Sequence, residues 1–404
     1  LSPELISDIK KLGGSSLSNM IDENLEPLDV LEAVKPKHTQ GYFLVATWWR
    51  YLFPTRSQSI RKLSYFPDKE GKVRVIAILD YWSQSCLRPL HNHINMILRR
   101  LSMDCTFNQN AFSSSSPAVL PNDNSYHSID LSAATDRMPI ALQKRVVAFL
   151  YGSTEKADAW MRILVGEAFN VKLPSGNTTV KYAAGQPMGA YSSWPVMALT
   201  HHIIVQVSAH RAGLISGTNP RHQFRGYFLL GDDLRIDHDL VSKEYKTLIS
   251  QLGMPYSEAK THTSKDGFEF AKRWFFKGKE VTGFSISGLM SVWKSYPLLI
   301  NFLDNQESHG WVIPVTVQPC LILAIHKVLH GKRFIHNRFL SMLKLYQLYY
   351  HVRFISKTVN VEGVLSTLAP IIGDSPLASL SHQQAQEIIS LIYLRARRNL
   401  VEKD

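Results

Sequence analysis

The chain has 404 residues and carries 45 Lys and Arg against 33 Asp and Glu, which gives a formal net charge of +12. A hydrophobic fraction of 45% with 19% charged residues is typical of a chain that buries a core, so the composition excludes a disordered basic tail as the whole protein. The positive charge favours a polyanionic partner, although an acidic membrane or protein would satisfy it equally. The length predicts roughly two or three domains or subdomains.

The cysteines and the apolar runs exclude two further classes of protein. Cys86, Cys105 and Cys320 lie too far apart for the paired spacing of a zinc site, and we interpret them as free thiols in a reducing compartment. The apolar run around 320–325 is much shorter than the roughly 18 residues needed to cross a bilayer, so no membrane span is expected. The chain begins at Leu1 rather than Met, which indicates a fragment or a processed product.

The first informative element is a basic stretch from 61 to 100, which has eight basic residues against three acidic ones. Within it, Gly71 is followed by an alternating and then apolar run from Lys72 to Ile78. This pattern predicts a strand that leaves a turn, and the turn holds Lys69.

The middle of the chain alternates between strand and helix patterns. The Ser- and Pro-rich segment 113–125 predicts a loop and a domain boundary. A strand is predicted to begin near Ser128 and an amphipathic helix near Pro139. Residues 172–182 predict a hairpin, and the glycine-rich segment 185–189 after it leads into a long apolar stretch that predicts a buried helix.

Apolar strands flank Gly231-Asp232-Asp233 on both sides, which predicts a hairpin with an acidic tip. A helix is predicted over 242–252. Another hairpin is predicted over 269–284, turned at 277–279, and the remainder from 292 to 404 is predicted to be mainly helical.

The acidic tip matters because two adjacent carboxylates, Asp232 and Asp233, repel one another and need a compensating cation. A third carboxylate, Asp130, stands at the end of the upstream strand, so the three would converge. Hard oxygen ligands of this kind suit Mg²⁺ or Mn²⁺, and two such ions support phosphoryl transfer. The cations that would neutralise a triphosphate lie in the basic stretch: Lys69, Lys72 and Arg74.

The order of these motifs resembles that of a viral RNA-dependent RNA polymerase, most closely the mitovirus and narnavirus group. The resemblance covers roughly residues 61–287. The segments that carry it run in the order of the finger motif and then the five palm motifs: 69–74, 130–137, 185–194, 231–233, 260–262 and 268–273.

The resemblance implies an α+β fold of the right-hand (fingers-palm-thumb) type, with a small antiparallel palm sheet and a helical thumb. Residues 1–124 would form the N-terminal and fingers region. Residues 125–290 would form the palm, with a fingers insertion near 145–185, and 291–404 the thumb. A thumb segment from 308 to 361 that has seven basic residues and no acidic one would grip the product duplex.

The resemblance also implies residue roles. Asp130 and Asp232 would be the main metal ligands, with Asp233 a weaker one, and Lys260 a general acid for the pyrophosphate leaving group. The remaining nucleotide-binding positions, in addition to Lys69, Lys72 and Arg74, would be Gln186 and three residues near the ribose, namely Asp136, Ser192 and Ser193.

Two positions depart from the family pattern. Met197 stands where many such polymerases have an asparagine, and Arg235 stands where an apolar or small strand residue is expected. Arg235 would either point outward harmlessly or partly neutralise the site, so a catalytically inactive RNA-binding remnant stays an alternative. A reverse transcriptase is a further, less favoured one. The resemblance implies two kinds of partner, namely an RNA template with its product duplex, and ribonucleoside triphosphates. It also implies a mitochondrial location, but no oligomeric state.

Overall fold

The computed structural model describes residues 1–33, 60–68, 72–114, 117, 120–215, 223–292, 298, 301–302, 305–306 and 309–311. The chain divides into two compact units, Leu1–Lys279 and Glu280–Asp404. Helices and small sheets both build the first unit, so the predicted α+β class is confirmed. The finer division into fingers, palm and thumb stays a prediction.

The helices and strands of the described residues have the following bounds. The helices are α1 (Pro3–Ala33), α2 (Tyr81–Leu98), α3 (Ala111–Ser114), α4 (Ala134–Arg137), α5 (Ile140–Tyr151), α6 (Thr154–Val165), α7 (Ser193–Arg211), α8 (Asp239–Gln251) and α9 (Ile286–Val292). The strands are β1 (Lys62–Pro67), β2 (Val73–Ile78), β3 (Tyr126–Asp130), β4 (Phe169–Leu173), β5 (Gly176–Val180), β6 (Tyr227–Leu230), β7 (Asp233–Ile236), β8 (His262–Ser264), β9 (Gly267–Phe270), β10 (Arg273–Phe276) and β11 (Lys279–Glu280).

One sheet has the strand order β2-β1-β4-β5, in which the predicted β4–β5 hairpin extends the β1–β2 hairpin. A core of buried apolar side chains joins β4 to α1, α2, α5 and α6, with Trp160 of α6 fully buried in it. Arg61, at the start of the basic stretch, is also buried. Its guanidinium donates to the Ile163 carbonyl at 2.6 Å and to Ser83 Oγ at 2.8 Å, so this cation holds the fold together rather than facing a ligand.

The central sheet has the order β6-β7-β3-β8, and each neighbouring pair of strands is antiparallel. Helices α7 and α8 pack beside it and share one apolar core with it. The predicted buried helix is confirmed as α7, which tolerates Pro195 because that residue lies in the first turn, where its missing N–H has no partner to lose. The predicted Gly-Asp-Asp hairpin is confirmed as β6 and β7.

Strands β9 and β10 form an antiparallel hairpin. Its turn lies at Ala271 and Lys272, which both adopt left-handed backbone conformations with φ of 54° and 61°. The predicted turn at Lys277 and Gly278 also exists, with φ of 46° and 74°. The predicted single hairpin over 269–284 was therefore wrong in its bounds, because the pattern of β9 and β10 contains no glycine at the turn between them.

Several predictions lie outside the described residues: Lys69, most of the helical region 292–404 and nearly all of the basic segment 308–361. Among the residues with a described structure, no helix is both long and apolar enough to cross a membrane.

Candidate active site

Three carboxylates meet at one end of β3 and β7, the two middle strands of the central sheet. Asp130 is the last residue of β3 and is paired directly with Asp233, the first residue of β7. Asp232 occupies the turn just before β7, and its carbonyl accepts a hydrogen bond from the Leu131 amide at 3.4 Å. The antiparallel register therefore brings together the three side chains that sequence analysis expected to converge.

Burial and mutual repulsion make full ionisation of this cluster unfavourable. Burial is the main cause that raises the pKa of Asp233 to about 7, and the charges of Asp232, Asp130 and Glu269 add to it. The pKa of Asp232 is also raised, first by burial and then by Asp130. The cluster thus has an unmet requirement for positive charge.

Lys260 supplies part of that charge. It lies in a short 3₁₀ turn, Glu258–Lys260, and its Nζ donates to Asp130 Oδ2 at 2.7 Å. This hydrogen bond raises the pKa of Lys260. The side chain of Lys260 is 55% exposed, so the ammonium group can exchange partners with little cost.

The carboxylates open into a cleft of about 450 Å³. Sequence analysis named several of its lining residues, namely Lys72, Asp130, Asp233 and Lys260. It missed the role of others that come from β9, β10 and their turn: Glu269, Lys272 and Trp274. The signal for Glu269 and Lys272 was present, because they lie in residues 268–273, which resemble the fifth palm motif; Trp274 lies just beyond that segment.

A second cleft, of about 370 Å³, lies on the other side of Asp232. Arg74 lines it and forms an ion pair with Asp68, and the charge of Asp232 also acts on its guanidinium. Ser193, for which a place near the ribose is a prediction, also lines this cleft. Thr135 was not predicted; its hydroxyl contacts Met197 Sδ at 3.5 Å, the position where an asparagine was expected.

Three predicted nucleotide-binding residues do not line either cleft. Gln186 is fully buried, and its Nε2 donates to Gln143 Oε1 at 2.6 Å and to the Ser193 carbonyl at 2.8 Å. Ser192 is also buried, and its Oγ accepts from Trp160 Nε1 at 2.9 Å. Asp136 is exposed on α4. The first two placements favour a role in shaping the loop over contact with a nucleotide.

Arg235 is fully buried and forms an ion pair with Asp237. Its Nε donates to Asp237 Oδ1 at 2.8 Å and its Nη2 to Asp237 Oδ2 at 2.6 Å. Its guanidinium carbon lies 4.2–5.3 Å from three aromatic ring centres, those of Tyr126, Phe228 and Phe268. The side chain is therefore turned inward, which contradicts the alternative of an arginine that points outward. Its effect on the acidic cluster stays a prediction.

The acidic cluster offers oxygen donors of the type that a hard divalent cation takes. Among the described residues, no three His, Cys, Asp or Glu side chains are already arranged around one ion position. Mg²⁺ usually takes only one or two carboxylates and completes its shell with water and substrate phosphates. Asp130, Asp232 and Asp233 offer such carboxylates beside a cleft with room for phosphates, so the residues present fit the ion.

Comparisons with known proteins give a matching family model and several relatives. A family model described as mitovirus RNA-dependent RNA polymerase matches residues 8–402. The RNA-directed RNA polymerase of Cryphonectria parasitica mitovirus 1 is 38% identical over 213 residues, which are 52% of this chain and 25% of that protein. An uncharacterized mitochondrial protein of Arabidopsis thaliana is 37% identical over 235 residues, which are 56% of this chain and 86% of that protein. The match thus spans about a quarter of the curated viral polymerase.

Similar solved structures are more distant. The RNA-dependent RNA polymerase of a human picorbirnavirus has a TM-score of 0.42 at 14% identity, with 85% of this chain and 64% of that chain covered. Telomerase from Candida albicans has a TM-score of 0.46 at 12% identity, with 82% and 66% covered.

Proposed function

Because the chain belongs to the mitovirus RNA-dependent RNA polymerase family, we propose that it adds ribonucleotides to an RNA 3′-end as directed by a template. The observation that carries this proposal is the pairing of Asp130 with Asp233 beside Asp232, at the edge of a cleft that Lys72 and Lys260 also line. Carboxylates and cations side by side are what a triphosphate with its divalent ions requires.

The proposed cofactor is Mg²⁺ or Mn²⁺, held by Asp130 and Asp232 with Asp233 as an adjacent, weaker ligand. When bound, two such ions activate an attacking hydroxyl and stabilise a leaving pyrophosphate. The weaker role of Asp233 is the one that the family motif implies for it.

The proposed roles of the cations follow from their positions. Lys72 lines the cleft beside Asp130 and Asp233, and Arg74 lines the cleft beside Asp232, so both can neutralise a triphosphate. We keep Lys69 in the same role from its place in the motif. Lys260 donates a hydrogen bond to Asp130, and a bound triphosphate would replace that carboxylate as the partner of Lys260. We propose Lys260 as the general acid for the leaving pyrophosphate.

For the ribose, Ser193 is the predicted residue best placed, since it lines the cleft next to Asp232. Asp136, Gln186 and Ser192 are proposed to act on the nucleotide only through the loop and helix that carry them. The proposed partners are an RNA template with its product duplex and ribonucleoside triphosphates. The Arabidopsis relative, a mitochondrial protein by its name, supports a mitochondrial location.

A second candidate function is RNA binding without synthesis. It is favoured by the similarity to a mitochondrial protein of a plant. A viral sequence captured by a host would no longer need catalytic activity to be maintained. Its basic surface would still bind RNA, with an affinity that falls steeply as salt rises.

The deciding experiment is extension of a primed RNA template with labelled ribonucleotides and Mg²⁺ or Mn²⁺. We expect synthesis by the wild type and none above background by Asp130→Ala or Asp232→Ala. Asp266→Ala, which removes an exposed carboxylate from the β8–β9 turn, is the matched control and should retain synthesis. RNA binding by all four proteins without metal-dependent synthesis by any would support the second candidate. Incorporation of deoxyribonucleotides in preference to ribonucleotides would indicate a reverse transcriptase.

A further inference from the structure

A buried histidine on α7 contacts the backbone of the acidic turn. His201 is 0% exposed, and its Nδ1 lies 2.8 Å from the Gly231 carbonyl oxygen. Its Nε2 lies 2.6 Å from the hydroxyl of Tyr245 on α8, which is itself fully buried. The histidine thus connects the turn before Asp232 to two helices of the underlying core.

The chemistry of the partners fixes the proton on this ring. A carbonyl oxygen only accepts, so Nδ1 of His201 must carry the hydrogen and donate it to Gly231. Nε2 is then the acceptor and receives the hydrogen of the Tyr245 hydroxyl. Burial lowers the pKa of His201 to about 4, which keeps the ring neutral and preserves this donor–acceptor order at neutral pH.

Trp194 closes the turn from a second direction. It stands seven residues before His201 on α7, so the two side chains lie on the same helix face two turns apart. A methyl group added at Gly231 would lie 2.0 Å from the Trp194 ring, and Gly231 has a φ of 64°. The Trp194 ring thus packs closely against one side of the turn, and the Gly231 carbonyl is directed at the histidine on the other.

We infer that His201 is a positioning residue, which holds the peptide between Gly231 and Asp232 and so sets the direction of the Asp232 carboxylate. This inference rests on the proposed polymerase function, because it assigns His201 a role in cation and nucleotide placement rather than in contact with either. Groups that orient a metal ligand from behind typically change metal affinity or activity by about 10- to 100-fold when they are removed.

The neighbouring residue provides a matched control. His202 is 3% exposed and also bonds through both ring nitrogens, to the Tyr227 hydroxyl at 2.9 Å and to Asp104 Oδ2 at 3.0 Å. These partners lie on β6 and on the segment after α2, away from the acidic turn. A change at His202 therefore disturbs the core as much as a change at His201, but leaves the Gly231 carbonyl bonded.

The experiment compares His201→Asn, His201→Gln and His202→Gln with the wild type in the full chain. The amide of asparagine falls near the Nδ1 position and can still donate to Gly231, whereas the amide of glutamine falls near Nε2. We expect His201→Gln to lower kcat and to weaken Mn²⁺ binding, measured by electron paramagnetic resonance, by about 10-fold or more. His201→Asn should recover most of both losses, and His202→Gln should show neither once corrected for the folded fraction.

The outcomes separate this inference from the proposed function. If the wild type binds Mn²⁺ but makes no RNA, the polymerase proposal fails and the Mn²⁺ affinities still decide the role of His201. The positioning role is overturned if His201→Gln binds Mn²⁺ as tightly as the wild type does. It is also overturned if His201→Gln and His201→Asn lose the same Mn²⁺ affinity, or if His202→Gln loses as much as His201→Gln. An equal loss of thermal stability in all three variants, with unchanged Mn²⁺ binding, would assign His201 to the core alone.

Discussion

Replacement of Arg235 by methionine tests whether this buried arginine serves the fold or weakens the site. The guanidinium makes two hydrogen bonds to Asp237 and is enclosed by aromatic rings, with no exposed surface. Removal of one partner from a buried ion pair costs about 3–5 kcal/mol, because the other charge stays buried without compensation. We therefore expect Arg235→Met to lower the free energy of unfolding by about that amount.

The loss should depend on pH with a definite sign. Burial already raises the pKa of Asp237, and Arg235 opposes that rise. In Arg235→Met the folded-state pKa of Asp237 increases further above its unfolded value. A carboxyl group whose folded-state pKa lies above its unfolded value does not lower the free energy of unfolding at a pH below the unfolded pKa. Its destabilising effect grows as the pH rises from the unfolded pKa towards the folded pKa. The destabilisation should thus be smaller in acid than at neutral pH.

The assay is urea unfolding followed by tryptophan fluorescence at several pH values. Arg235→Met/Asp237→Asn should regain part of the stability, and Lys144→Met, which breaks a partly exposed pair with Asp158, should lose much less. At low temperature, where Arg235→Met is folded, its metal-dependent synthesis should equal that of the wild type. A stable Arg235→Met protein, or one with higher synthesis per folded molecule, would refute this reasoning, because the arginine would then act on the carboxylates.

Three further predictions concern the same region. Gly231→Ala should abolish synthesis and lower the melting temperature, since its methyl group would collide with the Trp194 ring; an active and stable variant would contradict the geometry of the turn. Lys260→Arg keeps the positive charge beside Asp130, but an arginine cannot release a proton near neutral pH. The kcat of this variant should therefore fall by about 100-fold, with little change in the KM for nucleotide. A fully active variant would show that Lys260 only neutralises charge. The wild type should lose stability as the pH falls from about 6.5 to 4, because in this range His201 binds a proton in the unfolded chain but stays neutral in the folded one. In urea unfolding, His201→Asn should show a smaller loss over the same range.

Local patterns were sufficient for the elements that depend on neighbouring residues. The Gly-Asp-Asp hairpin and the β4–β5 hairpin were predicted because each combines alternating or apolar strands with turn residues. Helix α7 was predicted from its long apolar stretch. Helix α1 gave no usable signal, because Gly13 and Gly14 interrupt it, and the structure shows a kink with a φ of 74° at Gly14.

Side-chain roles that depend on distant partners were not readable from the sequence. Ser192 was predicted to contact the ribose, but its hydroxyl accepts a hydrogen bond from Trp160, which lies 32 residues earlier on another helix. Thr135 reaches the cleft beside Met197, whereas the more conspicuous Asp136 next to it is exposed elsewhere. Adjacent residues on a helical turn point in different directions, so a motif alone does not say which of them faces the substrate.

The acidic cluster also shows a conflict between local preference and the fold. No local propensity favours the pairing of Asp130 with Asp233, since like charges placed opposite each other on two strands destabilise a sheet. The pairing persists because α7 and α8 bury a large apolar surface against the same strands, and because His201 and Trp194 restrict the turn. The fold thus holds the carboxylates in a state that a bound cation would relieve, and this stored repulsion is the physical basis of the proposed cation site.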